Sequence, residues 1–247
     1  MIKFHPSARQ LSDFVEGTLS PAISLMVSAH CDMCEKCQRL VEIETESLAA
    51  EMVSSVSAKM DNNIDTSFQF GDMLSQITAL PSGKQSDLGS YCEVKYQEPF
   101  KKDNSRRFEA CVSTIELDGR TFRLPRTLHR YIDKTGNWSS LVGKLWQAPV
   151  DLGNQGVANF IFMGSGGSVP EHTHRGTEYT LVIDGEFSDG LGRYDTGDFI
   201  FMDGEKTHTP RAEGKEGCLV FSIVDQPLHF TSGLARLLNP FSHLFFR

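Results

Sequence analysis

Residues 166–185 read GGSVPEHTHRGTEYTLVIDG, and this stretch decides the fold of the C-terminal half. Its spacing is G-x5-H-x-H-x3-E-x6-G, starting at Gly166. His172 and His174 lie two apart, so on a β-strand both project to one face. Glu178 shares their parity and can join them from the same strand or across a turn. A second segment, DTGDFIFMDGEKTH at 195–208, opens on a Gly-containing turn and ends on His208. Three imidazoles and one carboxylate inside a small barrel make a site for a divalent metal, with room left for water or substrate. Zinc, iron, manganese and nickel all suit these donors, and zinc is placed first.

The flanking sequence has the texture of an antiparallel barrel or sandwich. From about residue 111, β-prone runs (CVSTIEL, TFRL, VANFIFM, YTLVIDGEF, DFIFM, CLVFSIV) alternate with Gly- and Asp-rich turns. The apolar tail LARLLNPFSHLFFR can pack back on the barrel as a short helix. Residues 82–110 are polar, carry KKDNSRR and read as a linker. They divide the chain into a helical domain at 1–81 and a barrel domain at 111–247. The fold class is therefore α + β with two domains.

The helical domain follows from caps and periodicity. Ser7 caps a helix bearing Leu11, Phe14 and Val15 that stops at Gly17. Ser20-Pro21 starts a second, with Pro in its first turn. A long third helix runs from Cys34 to about Met60. Its Leu48, Met52, Val56 and Met60 recur every fourth residue and predict one buried face. Asp65 to Leu80 predicts a last short helix.

Composition narrows the function classes. The 247 residues carry a formal charge of −8, which argues against direct DNA binding. Residues 1–81 hold eleven acidic and five basic side chains, so most of that charge sits in the helical half, whose partner is expected to be basic. No apolar run approaches the length of a membrane helix, and MIKFHPSARQL lacks the apolar core of a secretory leader. With six cysteines in no disulfide-framework pattern, the expected compartment is the reducing cytoplasm.

Four of those cysteine and histidine residues form a second motif. HCDMCEKC at 30–37 places His30, Cys34 and Cys37 as H-x3-C-x2-C, all on one side of a helix. Thiolates with imidazole select zinc, which takes four such ligands in structural sites. His5 is the other histidine of this half and would complete the set. Cys31 competes for the place, although on a helix it points about 100° away from His30. Cys92, Cys111 and Cys218 are scattered, as inert buried thiols or as sensory ones.

The C-terminal motif resembles the cupin family, complete in its first half. In its second half Asp203 stands where Pro is usual and Glu205 where Gly is usual, while His208 is retained. The N-terminal motif is similar to the zinc-binding anti-sigma domain, with His5, His30, Cys34 and Cys37 at its ligand positions. The two joined in this order resemble the ChrR family of anti-sigma factors. That resemblance implies Zn2+ in the N-terminal site and a divalent metal in the cupin. It implies a group IV (extracytoplasmic-function, sigma-E-like) sigma factor as partner, bound through residues 1–81. It also implies release of sigma in response to singlet oxygen or related oxidants. Phe68, Phe70, Leu74 and Ile77 are expected among the sigma contacts. The activity is then regulatory, with no catalytic residue assigned. The alternative is a metal-dependent, dioxygenase-like cupin enzyme with a zinc-stabilised helical appendage.

Overall fold

The computed structural model describes residues 1–57, 73–76, 78–79, 113–141, 144–153, 157–226, 228–233, 235–237 and 239. Phe68, Phe70, Ile77, Cys92, Cys111 and the expected linker 82–110 lie outside these residues. Two compact units divide the chain, Met1–Thr45 with Val112–Arg247, and Glu46–Cys111.

Three helices open the chain, α1 (Ala8–Val15), α2 (Pro21–Met33) and α3 (Glu35–Ser57). Ser7 and Gln10 form a reciprocal capping box at α1, and Gly17 ends that turn with a positive φ of 72°. Ser20 caps α2, whose Pro21 occupies the first turn, where its missing N–H costs nothing. α2 is apolar almost all round. Met26, Val27, Ala29 and His30 are fully buried. α3 behaves differently from the periodicity expectation. After Cys37 none of its residues of described burial is buried, and Met52 is 63% exposed.

Among the described residues fourteen antiparallel strands follow: β1 (Thr114–Leu117), β2 (Arg120–Arg123), β3 (Ser139–Leu141), β4 (Leu145–Val150), β5 (Val157–Met163), β6 (His172–His174), β7 (Glu178–Asp184), β8 (Glu186–Ser188), β9 (Arg193–Asp195), β10 (Phe199–Met202), β11 (Thr207–His208), β12 (Arg211–Ala212), β13 (Cys218–Val224) and β14 (Leu228–Phe230). The main sheet runs β10-β7-β13-β5-β4-β3. Two three-stranded sheets, β11-β6-β14 and β12-β8-β9, complete the antiparallel barrel. The β7–β8 connection turns at Gly185, whose φ is 90° and whose Cβ would lie 2.3 Å from the Gly217 carbonyl, so only glycine fits.

Strand parity sorts the main sheet into two faces. Ile161, Met163, Val182, Ile200 and Val220 pack in one apolar cluster with Phe187 and Tyr194. Phe160, Phe162, Leu181, Phe199, Leu219 and Phe221 face the opposite way. They share a core with Leu11 of α1, Leu25, Met26 and Val27 of α2, and Phe122 of β2. Because both faces of β13 are buried, its sequence CLVFSIV is apolar at every position except Ser222.

This packing changes the expected division at residue 81. Helices α1 and α2 are part of the same compact unit as the barrel, because their apolar face covers its outer sheet. Polar bonds add to it. Ser28 and Thr127 share a hydroxyl bond of 2.9 Å, and the Asp32 carboxylate accepts from the Thr127 backbone at 2.7 Å.

Candidate metal centres

β6 presents His172 and His174 to the barrel interior and Thr173 outward, where its hydroxyl meets the carbonyls of Gly204 and Lys206. β11 pairs with β6 so that His208 stands opposite His172. Glu178 begins β7. Its Oε2 lies 2.9 Å from His174 Nε2, and its Oε1 accepts from the Thr180 and Ser222 hydroxyls, each at 2.9 Å. The shared parity of His172, His174 and Glu178, with His208 from the second segment, thus becomes one cluster whose donor atoms all lie within 4.8 Å of one another.

Hydrogen bonds on the outer ring nitrogens set the tautomers. His172 Nδ1–H donates to the Pro170 carbonyl at 2.8 Å, and His208 Nδ1–H to Asp189 Oδ2 at 3.2 Å. Both rings then turn a bare Nε2 inward, and these two nitrogens are 2.9 Å apart. Two lone pairs at that distance repel, and a shared cation reverses the sign. Burial, helped by His208, holds His172 down to about 4, so it is the neutral, ligating form at pH 7. Burial raises the Glu178 pKa, but the bond from His174 and the surrounding imidazoles outweigh it and hold the carboxylate well below its usual range. The donor set fits a divalent metal. A cavity of about 40 Å³ adjoins it, walled by Met163, Phe187, Ile200 and Val220, enough for a few waters or one small ligand.

The N-terminal cluster assembles from three elements. His5 precedes α1, His30 lies in the last turn of α2, Cys34 caps α2, and Cys37 lies in the first turn of α3. Their donor atoms also fall within 4.8 Å of one another. His5 Nδ1 is 3.4 Å from His30 Nε2, 3.5 Å from Cys34 Sγ and 3.4 Å from Cys37 Sγ. His30 Nδ1–H donates to the Gly197 carbonyl at 2.9 Å, which turns Nε2 toward the sulfurs. Cys31 stays outside the four.

Two thiols and two imidazoles are a tetrahedral zinc-type donor set. Burial, then Cys34, pushes Cys37 up to about 12, and burial holds His30 down to about 4. Without metal Cys37 therefore keeps its proton at neutral pH, and metal binding releases it. Cys218 is fully buried in β13, and burial pushes its thiol far up, the condition of an inert cysteine.

Asp189 and Asp198 are not singled out by sequence reasoning, and Gly197 is read there only as the start of the segment that leads to His208. Asp189, buried against His208, also accepts from the backbone N–H groups of Leu191 and Gly192, each at 2.8 Å. Asp198, fully buried, accepts from the N–H groups of Lys3 at 2.6 Å and Phe4 at 3.0 Å. Gly197 supplies the carbonyl to His30. All three lie in SDGLGRYDTGD at 188–198, which reads as ordinary turn sequence.

Comparison with known proteins bears on the fold and the family. Residues 132–226 match the family model described as the ChrR cupin-like domain. The anti-sigma-E factor ChrR of Cereibacter sphaeroides is 28% identical over 240 residues, covering 97% of this chain and 98% of that protein. The crystal structure of Rhodobacter sphaeroides SigE in complex with the anti-sigma ChrR contains a chain of the same fold. It has a TM-score of 0.59 and 24% identity, over 91% of this chain and all of that one. Residues 132–226 therefore match the ChrR cupin-like domain, in a chain similar over 97% of its length to an anti-sigma factor of that family.

Proposed function

We propose that this protein is an anti-sigma factor that binds and inhibits a group IV, sigma-E-like sigma factor, with residues 1–81 as its binding half. The observation that carries the reading is the relation to ChrR across 97% of the chain, and this chain itself brings together two metal-type clusters. His5, His30, Cys34 and Cys37 would hold Zn2+, fastening α1, α2 and α3 at one point. His172, His174, Glu178 and His208 would hold a second divalent metal, Zn2+ first. Metals held there would supply fixed positive charge, and in the barrel that charge would lie beside the small cavity.

The surface chemistry supports this partner. A sigma factor presents basic surface to promoter DNA, and the acidic helical half is suited to cover it. On α3, Leu40 and the 62%-exposed Ile43 lie among Glu35, Glu42 and Glu46. Such a mixture suits an interface with an apolar centre and a charged rim. Leu74, one of the expected contacts, is also exposed. A protein that sequesters a sigma factor works where RNA polymerase is, in the cytoplasm, and among the described residues no helix is long and apolar enough to cross a membrane.

Release in response to singlet oxygen or related oxidants belongs to the same reading, with the cupin as the responding half. The test is complex formation by the full chain. Metal-loaded protein mixed with a sigma-E-like factor from the same cell should co-elute as a 1:1 complex on size exclusion. Separate elution at micromolar concentrations would remove the reading. Metal-dependent turnover of a small substrate in its place would favour the enzyme alternative.

A further inference from the structure

We propose that the two metal centres share one outer shell, the stretch Asp189–Asp198, and that metal occupancy of one centre is thermodynamically linked to occupancy of the other. The inference rests on the reading that both clusters hold metal.

One end of the stretch serves the barrel centre. The Asp189 carboxylate, 2% exposed, accepts from His208 Nδ1–H. It is held in turn by the Tyr194 hydroxyl, which donates to Oδ2 at 3.3 Å. The Tyr194 ring packs against Phe4, the residue before His5, with centroids 4.9 Å apart.

The other end serves the thiolate centre. Gly197 accepts from His30 Nδ1–H. Asp198 fastens the backbone N–H groups of Lys3 and Phe4 through Oδ1, and that of Asp195 through Oδ2 at 2.8 Å. The Phe4 carbonyl accepts from the Phe199 N–H at 3.0 Å. Both histidines of the thiolate centre are thus positioned from the barrel, His30 directly and His5 through its neighbour. Gly197 is required at its place. Its φ is 91°, and a Cβ there would lie 2.5 Å from Ile2 Cδ1.

Metal on an imidazole makes the opposite N–H a stronger donor. Metal at His208 therefore tightens Asp189, and metal at His30 tightens Gly197. Each acts on the same ten residues, so filling one centre prepares the other. Linkage of this kind is reciprocal. Asp189, Tyr194 and Asp198 are positioning residues in this scheme.

The experiment loads the full chain with Co2+, whose thiolate charge-transfer band reports the Cys34–Cys37 centre alone. Its affinity is measured by chelator competition in the wild type, in Glu178→Gln, in Tyr194→Phe and in the double variant. Glu178→Gln keeps the Thr180 and Ser222 bonds while weakening the barrel centre. It is expected to lower Co2+ affinity at the thiolate centre at least about fivefold. Tyr194→Phe keeps the ring against Phe4 and removes the hydroxyl. In that background Glu178→Gln should produce little further change, the non-additivity of residues acting as a unit. Equal affinity in the wild type and a folded Glu178→Gln protein, with its barrel centre empty by metal count, would overturn the linkage. An undiminished Glu178→Gln effect in the Tyr194→Phe background would overturn the assigned route. No cobalt–thiolate band in the wild type would overturn the metal reading beneath both.

Discussion

Replacing Asp198 by alanine should undock the N-terminus from the barrel while leaving the barrel interior in place. The Asp198 carboxylate accepts three backbone N–H bonds, from Lys3, Phe4 and Asp195, at 2.6 to 3.0 Å. A hydrogen bond to a charged acceptor contributes about 1.5–3 kcal/mol. Lys3 and Phe4 are exposed enough for water to replace part of that, so the expected net loss is about 3–4 kcal/mol. For a folded unit of this size that corresponds to a melting shift of about 10 °C. Hydrogen exchange on the metal-free protein localises the effect. Amides of residues 1–33 should lose protection, while those of β5 and β13 keep theirs. Unchanged protection at 1–33, with stability within about 1 kcal/mol of wild type, would refute the reasoning.

Cys34→Ser should remove the N-terminal metal and sigma binding together, because metal binding and local folding are coupled in such domains; metal content and co-elution with sigma check it. Asp189→Asn should weaken barrel-centre metal affinity about 10–100-fold, read by chelator competition, because His208 loses its charged orienting partner. Stability of the metal-free protein should fall as pH drops from about 6.5 towards 4. Folded His30 and His172 sit at about 4 against an ordinary 6.5, so in that window the unfolded chain takes up protons that the folded one does not. Urea midpoints at pH 7, 5.5 and 4.5 should decline in that order, and a flat series would contradict the burial of these rings.

Much of this arrangement is legible in the sequence because it rests on periodicity and spacing. The H-x-H parity of β6 places both rings in the barrel, and Ser7, Gly17 and Ser20-Pro21 set the ends of α1 and α2. The docking of these helices is harder to read. Its signal is present in CLVFSIV, whose lack of alternation requires cover on both faces, but nothing in the run says which segment provides it. Asp189 and Asp198 look like turn residues, since a turn aspartate has the same sequence context whether its carboxylate faces water or clasps a remote backbone. On α3 a four-residue apolar recurrence predicts burial equally for a core and for a surface kept for a partner, and Met52 is exposed.

The most direct measurement is transcription by RNA polymerase carrying a sigma-E-like factor from the same cell, titrated with the metal-loaded full chain. Helices α1 and α2 pack as one unit with the barrel, so the whole protein is the right reagent. The account predicts inhibition that saturates near one equivalent and is lost on chelation and in Cys34→Ser. Undiminished transcription in the presence of excess folded, metal-loaded protein would contradict it.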